Sequence, residues 1–111
     1  MDRIKKWLED IIIAIEEIES FFENQPKIYD DFVKNLLLRR GIERNIEIIG
    51  EAMCRILKEK PEITITNSRK IVDTRNYVIH GYDSLTTDIL WSIVINHLPI
   101  LKTEIENILK Q

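Results

Sequence analysis

One cysteine, Cys54, leaves this 111-residue chain no intramolecular disulfide and fits a reducing compartment. Histidine is nearly as scarce, with His80 and His97 alone, and no set of Cys, His and carboxylate residues stands at metal-ligand spacing. The absence of a resident metal or other cofactor is therefore expected. Basic charge is not in excess: 16 basic against 19 acidic residues give a net charge of −3. That balance excludes a generic polyanion binder, so a nucleic-acid partner must be met by a local basic patch. Long hydrophobic runs are missing too. The most apolar window, 89–101, is interrupted by Ser92, Asn96 and His97 and is too short to span a bilayer. The opening Met1-Asp2-Arg3 leads into a charged amphipathic segment rather than the apolar stretch of a signal peptide. A cytoplasmic location without membrane attachment is expected. With three glycines and three prolines there is no low-complexity segment, internal repeat or domain-separating linker, and residues 1–111 read as one domain.

Isoleucine supplies 22 of the residues, a β-branched excess that favours strands by propensity. Periodicity overrules it. Ile4, Leu8, Ile11, Ile15, Ile18 and Phe22 recur at spacings of four and three, lining one helical face. Asn24-Gln25-Pro26 breaks that helix. A second run, Ile28, Phe32, Leu36, then Ile42, Ile46, Ile49, Met53 and Ile56, predicts one long helix ending near Glu59, before Pro61. Gly41 and Gly50 within it permit either close helix approach or a slight bend. Residues 62–66 form a β-branched connector. Asn67 or Ser68 can cap a short third helix, stopped by Gly81. A fourth helix begins after Ser84 or Thr86, with a kink or short break near Asn96 imposed by Pro99. The pattern predicts an all-α antiparallel four-helix bundle with a short third helix. Between Ile89 and Leu101 the last helix is apolar nearly all round, with Trp91 adding a large ring. A second copy of the chain would cover that surplus, as would internal burial by the third helix and connector.

The chemistry concentrates in Arg75-Asn76-Tyr77-Val78-Ile79-His80-Gly81-Tyr82. Asn76 and His80 are four apart and share a helix face, with Arg75 beside Asn76. His80 falls in the last turn, where the helix dipole favours the imidazolium and raises its proton affinity. A fixed cation beside a group titrating near neutral pH suits phosphodiester cleavage. Each residue also has a structural use: a histidine capping carbonyls, an arginine in a salt bridge, tyrosines in packing. Glu47 and Glu51 are candidate partners for Arg75. On the long helix Arg40 and Arg44 alternate with glutamates; they read either as an exposed face of intrahelical pairs or as RNA phosphate contacts. His97, on the apolar stripe of the last helix, reads as buried and hydrogen-bonded.

Arg75, four residues, His80, one residue, Tyr82 resembles the motif of HepT-like toxins of the HEPN superfamily. The asparagine after the arginine and the stretch Glu47-Ile48-Ile49-Gly50-Glu51-Ala52 also look like that family, and the similarity covers essentially the whole chain. The resemblance implies a HEPN-like homodimer acting as a metal-independent endoribonuclease, with Arg75, Asn76 and His80 catalytic at a shared cleft. It further implies the toxin half of a type VII toxin–antitoxin pair. The partner would be an MNT-type nucleotidyltransferase antitoxin that silences the toxin by AMPylation of Tyr82. One motif histidine per chain fits a dimer, because cleavage by the 2′-hydroxyl needs both a base and an acid. The competing reading is a non-catalytic helical subunit that docks on a nucleotidyltransferase.

Overall fold

The computed structural model describes the backbone of residues 2–80 and 83–111 and the side chains of residues 2–75 and 87–111. In chain order the elements are α1 (Asp2–Ser20), α2 (Tyr29–Lys34), α3 (Leu36–Glu59), α4 (Ser68–His80), α5 (Asp83–Ser92), a π-helical turn (Ile93–His97) and α6 (Leu98–Lys110). Among the described residues there is no strand, so the isoleucine content serves helical stripes. Nor is any helix there long and apolar enough to cross a membrane.

The stripe read from α1 is the buried one as far as the helix runs: Ile4, Leu8, Ile11, Ile15 and Ile18 face inward, joined by Ala14, while Phe22, its last expected member, lies past the helix end and is half-buried. Each isoleucine buried in this way stabilises the fold by about 1.5–3 kcal/mol before conformational entropy is set against it. The opposing wall is Leu38, Ile42, Ile46, Ile49, Met53 and Ile56 of α3. Contacts at both ends fix the pair as antiparallel. Arg3 reaches Glu59 at 3.4 Å, while at the other end Asn45 donates to Glu17 at 3.2 Å. α6 closes the core against α1, with Leu98, Leu101 and Ile105 buried and Lys102 paired to Glu19 at 2.9 Å.

The second long helix is two helices. Asn35 adopts extended backbone (φ −101°, ψ 94°), ends α2, and caps α3 by accepting the Leu38 N–H on its side-chain oxygen at 3.0 Å. Asparagine competes with the backbone ladder in this way and is favoured at such caps. The break shifts the phase of the apolar stripe. Phe32 is fully buried, but Ile28 and Leu36, assigned to the same stripe, stand about half exposed, and Leu37 is 84% exposed.

At the other end of the chain the expected kink near Asn96 is a π-helical turn. The Leu98 N–H donates to the Ile93 carbonyl, five residues back. Pro99 follows in the first turn of α6. A proline ring clashes with the carbonyl four residues before it in an α-helix, and one turn of wider winding relieves the clash. The apolar surplus of this region divides. Trp91 is absorbed internally, its ring centroid 5.1 Å from Phe32, 5.9 Å from Tyr29 and 6.2 Å from Phe22. Ile95 and Ile100 remain 38% and 50% exposed. For Trp91, the turn after α1 and helix α2 thus supply the cover expected of the third helix and connector.

Candidate functional site

Gly50 sets the position of Arg75. A Cβ on Gly50 would come within 3.0 Å of the Arg75 Cβ and 3.3 Å of the Ile71 carbonyl oxygen. The missing side chain lets α4 lie directly on α3, which is the close approach rather than the bend. Arg75 is consequently held at its root. Its Nε is buried without a hydrogen-bond partner, yet the residue is only half-buried overall, which leaves the end of the guanidinium as its open part. The carboxylates considered as its partners are otherwise placed. Glu47 accepts from Arg44 at 3.3 Å, and Glu51 is exposed. A cation anchored at its stem, with an open fork, is what stabilising a phosphorane requires.

α4 ends on His80, where the glycine stop was expected to end it. The side chains of Asn76, Tyr77 and His80 lie outside the described residues, as do Gly81 and Tyr82 altogether. Arg75 is thus the motif residue whose surroundings can be stated. Of the stretch 47–52, Gly50 meets it from α3; Ile49 and Ala52 are buried as well, and Glu51 is exposed. Of the two other arginines considered for RNA, Arg40 donates to Glu43 at 2.8 Å and Arg44 to Glu47, both on exposed surface. These are the intrahelical pairs expected, at i,i+3 spacing.

His97 is half-buried rather than buried. Its Nδ1 lies 3.4 Å from the side-chain nitrogen of Asn67. Asn67 itself sits in the left-handed region at φ 59°, which asparagine tolerates better than most residues. Its carbonyl accepts the Ile71 N–H at 3.0 Å, so it does begin α4, though through its backbone. Next to this pair a cleft of about 310 Å³ opens between α4 and the π-helical turn, lined by Lys70, Asp73, Thr74, Ser92 and His97 over Ile71, Ile89 and Ile93. No local pattern in the chain announces it, because it depends on how the π turn rotates His97. Other features that escaped sequence reading are structural. Asn45 is buried and donates to Gly41 and Glu17, and Glu104 accepts both the backbone N–H and the hydroxyl of Thr66, clasping the connector. Among the described residues no group of three or more His, Cys, Asp or Glu is placed to hold a metal ion.

Residues 11–108 match the family model described as ribonuclease HepT-like. The chain is 34% identical to a protein of Thermococcus cleftensis named "Probable ribonuclease HepT", with 96% of each chain covered. It is 30% identical to a "Putative RNase" of Methanocaldococcus jannaschii, over 96% of this chain and 88% of that one. A similarly named protein of Caldanaerobacter subterraneus subsp. tengcongensis is also 30% identical, over 96% and 95%. No solved structure matches the chain closely enough to count as a relative.

Proposed function

The chain belongs to the HepT-like ribonuclease family, and on that footing we propose that it is a metal-independent endoribonuclease whose cleft is shared by two copies of the chain. The observation that carries this reading is Arg75, rooted against Gly50 and bearing an open guanidinium fork. In the reaction one His80 takes the proton of the RNA 2′-hydroxyl. The 2′-oxygen bonds to phosphorus, and the bond to the 5′-oxygen breaks. The His80 of the second copy protonates that leaving oxygen, giving a cyclic phosphate and a free 5′-hydroxyl. The attacking group belongs to the substrate, so the step calls for no metal-bound water. Arg75 stabilises the charge that grows on the phosphorane oxygens, and Asn76 orients His80 or the phosphate. The exposed Ile95 and Ile100 support pairing of two copies.

In this reading the protein is the toxin of a cytoplasmic toxin–antitoxin pair, and its antitoxin is an MNT-type nucleotidyltransferase. AMP on Tyr82 would place a bulky anion at the mouth of the cleft, where charge and bulk both turn RNA away.

The test is cleavage of RNA in EDTA by the purified chain, compared with His80→Ala and Arg75→Ala. Loss of activity is expected in the first. In the second a fall of about 10²–10³-fold is expected, as for loss of a preorganised donor, with oligomeric state unchanged in both. Cleavage that survives His80→Ala, or that requires Mg²⁺, would refute the mechanism. A stable complex with the nucleotidyltransferase and no RNA breakdown would favour the binding-subunit reading. Intact mass after co-expression with that enzyme tests the modification: a gain of whole adenylate units mapping to Tyr82 is expected.

A further inference from the structure

We propose that Arg39 is a second phosphate-binding guanidinium of the same cleft, gripping the RNA strand more than one nucleotide away from the bond that is cut. The proposal rests on the ribonuclease reading above. Among the described side chains two buried polar atoms lack a hydrogen-bond partner, and both are guanidinium Nε atoms, those of Arg39 and Arg75. Buried donors are nearly always paired, so each such exception needs a reason. The neighbours of Arg39 on the same helix do not share its condition: Arg40 is bonded to Glu43 and Arg44 to Glu47. Arg39, like Arg75, is only half-buried as a residue, so part of its side chain beyond the covered Nε is open to a ligand.

Position connects the two arginines. Arg39 precedes Gly50 by eleven residues, close to three helical turns, so both lie on one stripe of α3 about 16 Å apart along its axis. Ile46, between them on that stripe, is buried, and Gly50 is in contact with Arg75. Arg75 touches α3 at Gly50, while Gly41 and Asn45, on the opposite edge of the helix, meet Phe21 and Glu17. By helical phase Arg39 therefore stands on the edge of α3 that Gly50 presents to α4, in line with Arg75. A chain of net charge −3 cannot hold RNA by its overall field, and local unpaired guanidiniums must do it. Their planar fork suits a phosphate, whose two oxygens it can bind together.

The separation sets the test. A dinucleotide carries one internucleotide phosphate and can engage only the catalytic arginine, whereas a dodecamer spans both. For Arg39→Ala in the full chain, KM for a dodecamer is expected to rise about tenfold or more, the usual effect of losing a charged hydrogen bond, with kcat unchanged. Dinucleotide cleavage should be unaffected, which also shows that the variant is folded. Arg39→Lys should recover part of the loss, and the slope of log affinity against log salt should fall by roughly 0.7. Anisotropy with a 2′-O-methyl dodecamer, which lacks the attacking hydroxyl, reads the same difference without turnover.

Equal losses on both substrates, no loss on the dodecamer, or a changed oligomeric state with unchanged cleavage per dimer would each overturn the proposal; the last would make Arg39 a protein contact. A wild-type chain that neither cleaves nor binds RNA brings down the ribonuclease reading and this one together. An active wild type with an indifferent Arg39→Ala brings down this one alone.

Discussion

Two glycines of one helix face different obstacles, and the difference decides what each can tolerate. A Cβ at Gly41 would meet the far edge of the Phe21 ring at 3.0 Å, and a ring edge can swing aside. At Gly50 the obstacles are the Arg75 Cβ and a backbone carbonyl, which move only if α4 moves. Alanine improves helix propensity by up to about 1 kcal/mol at either site, and overpacking costs about 1–3 kcal/mol where nothing can yield. Gly41→Ala should therefore be neutral or slightly stabilising by denaturant unfolding. Gly50→Ala should lose about 1–2 kcal/mol and, by displacing the root of Arg75, lower kcat. Equal stabilities for the two variants would show that α4 is not seated on Gly50. At this scale the sequence named the catalytic candidates but not their supports. Arg75 stood out through its spacing to His80 and Tyr82. Its dependence on Gly50 needed the register of α3 against α4, which no local pattern contains.

The elements show where local signals were sufficient and where they were present but unused. The stripe of α1 was legible because every member keeps the spacing. In the second run the step from Leu36 to Ile42 is six residues, a slip of phase, and Asn35 beside it is a strong capping residue; together they mark the break between α2 and α3. The π-helical turn is a different case. Pro99 announced a disturbance, but whether it became a kink or a wider turn was settled by which side of α6 must face α1. α2, once separate, is latched by the Trp91 cluster and by the Tyr29 hydroxyl, which donates to Asp88. That hydrogen bond, more than desolvation or charge, raises the phenol above its ordinary pKa of 10.0. A raised value means that the tie contributes below pH 10.0 and is lost as pH rises through the folded value. Wild type should then melt above Tyr29→Phe by a constant margin through neutral pH, a margin that closes in alkali. The absorbance difference between the two should show a phenol ionising above pH 10.0. Ionisation at or below that point would mean that the Asp88 contact is absent in solution.

For the molecule as a whole, the question is what covers Ile95 and Ile100. The rest of the last helical stretch found internal neighbours: Trp91 in its aromatic cluster, Leu98, Leu101 and Ile105 in the core. These two side chains stay partly exposed, Ile95 within the π-helical turn and Ile100 just after it. If they form the seam between two copies, Ile95→Asp combined with Ile100→Asp should give a folded monomer by light scattering and sedimentation. RNA cleavage should be lost with it, since one copy holds a single motif histidine. A dimer that survives both aspartates places the seam elsewhere.

The π-helical turn also means that the chain carries a spare residue, wound into the widest part of its last helix. A deletion within 93–97, made with Pro99→Ala to free the ladder, would shorten the protein yet leave Leu101 and Ile105 aimed at α1, because regular winding takes up the slack. The same deletion a few residues later would turn the remainder of α6 by about 100° and drive Lys102 towards the interior. Within this last helical stretch, tolerance to losing a residue thus falls on one turn, the turn that also holds His97 against Asn67.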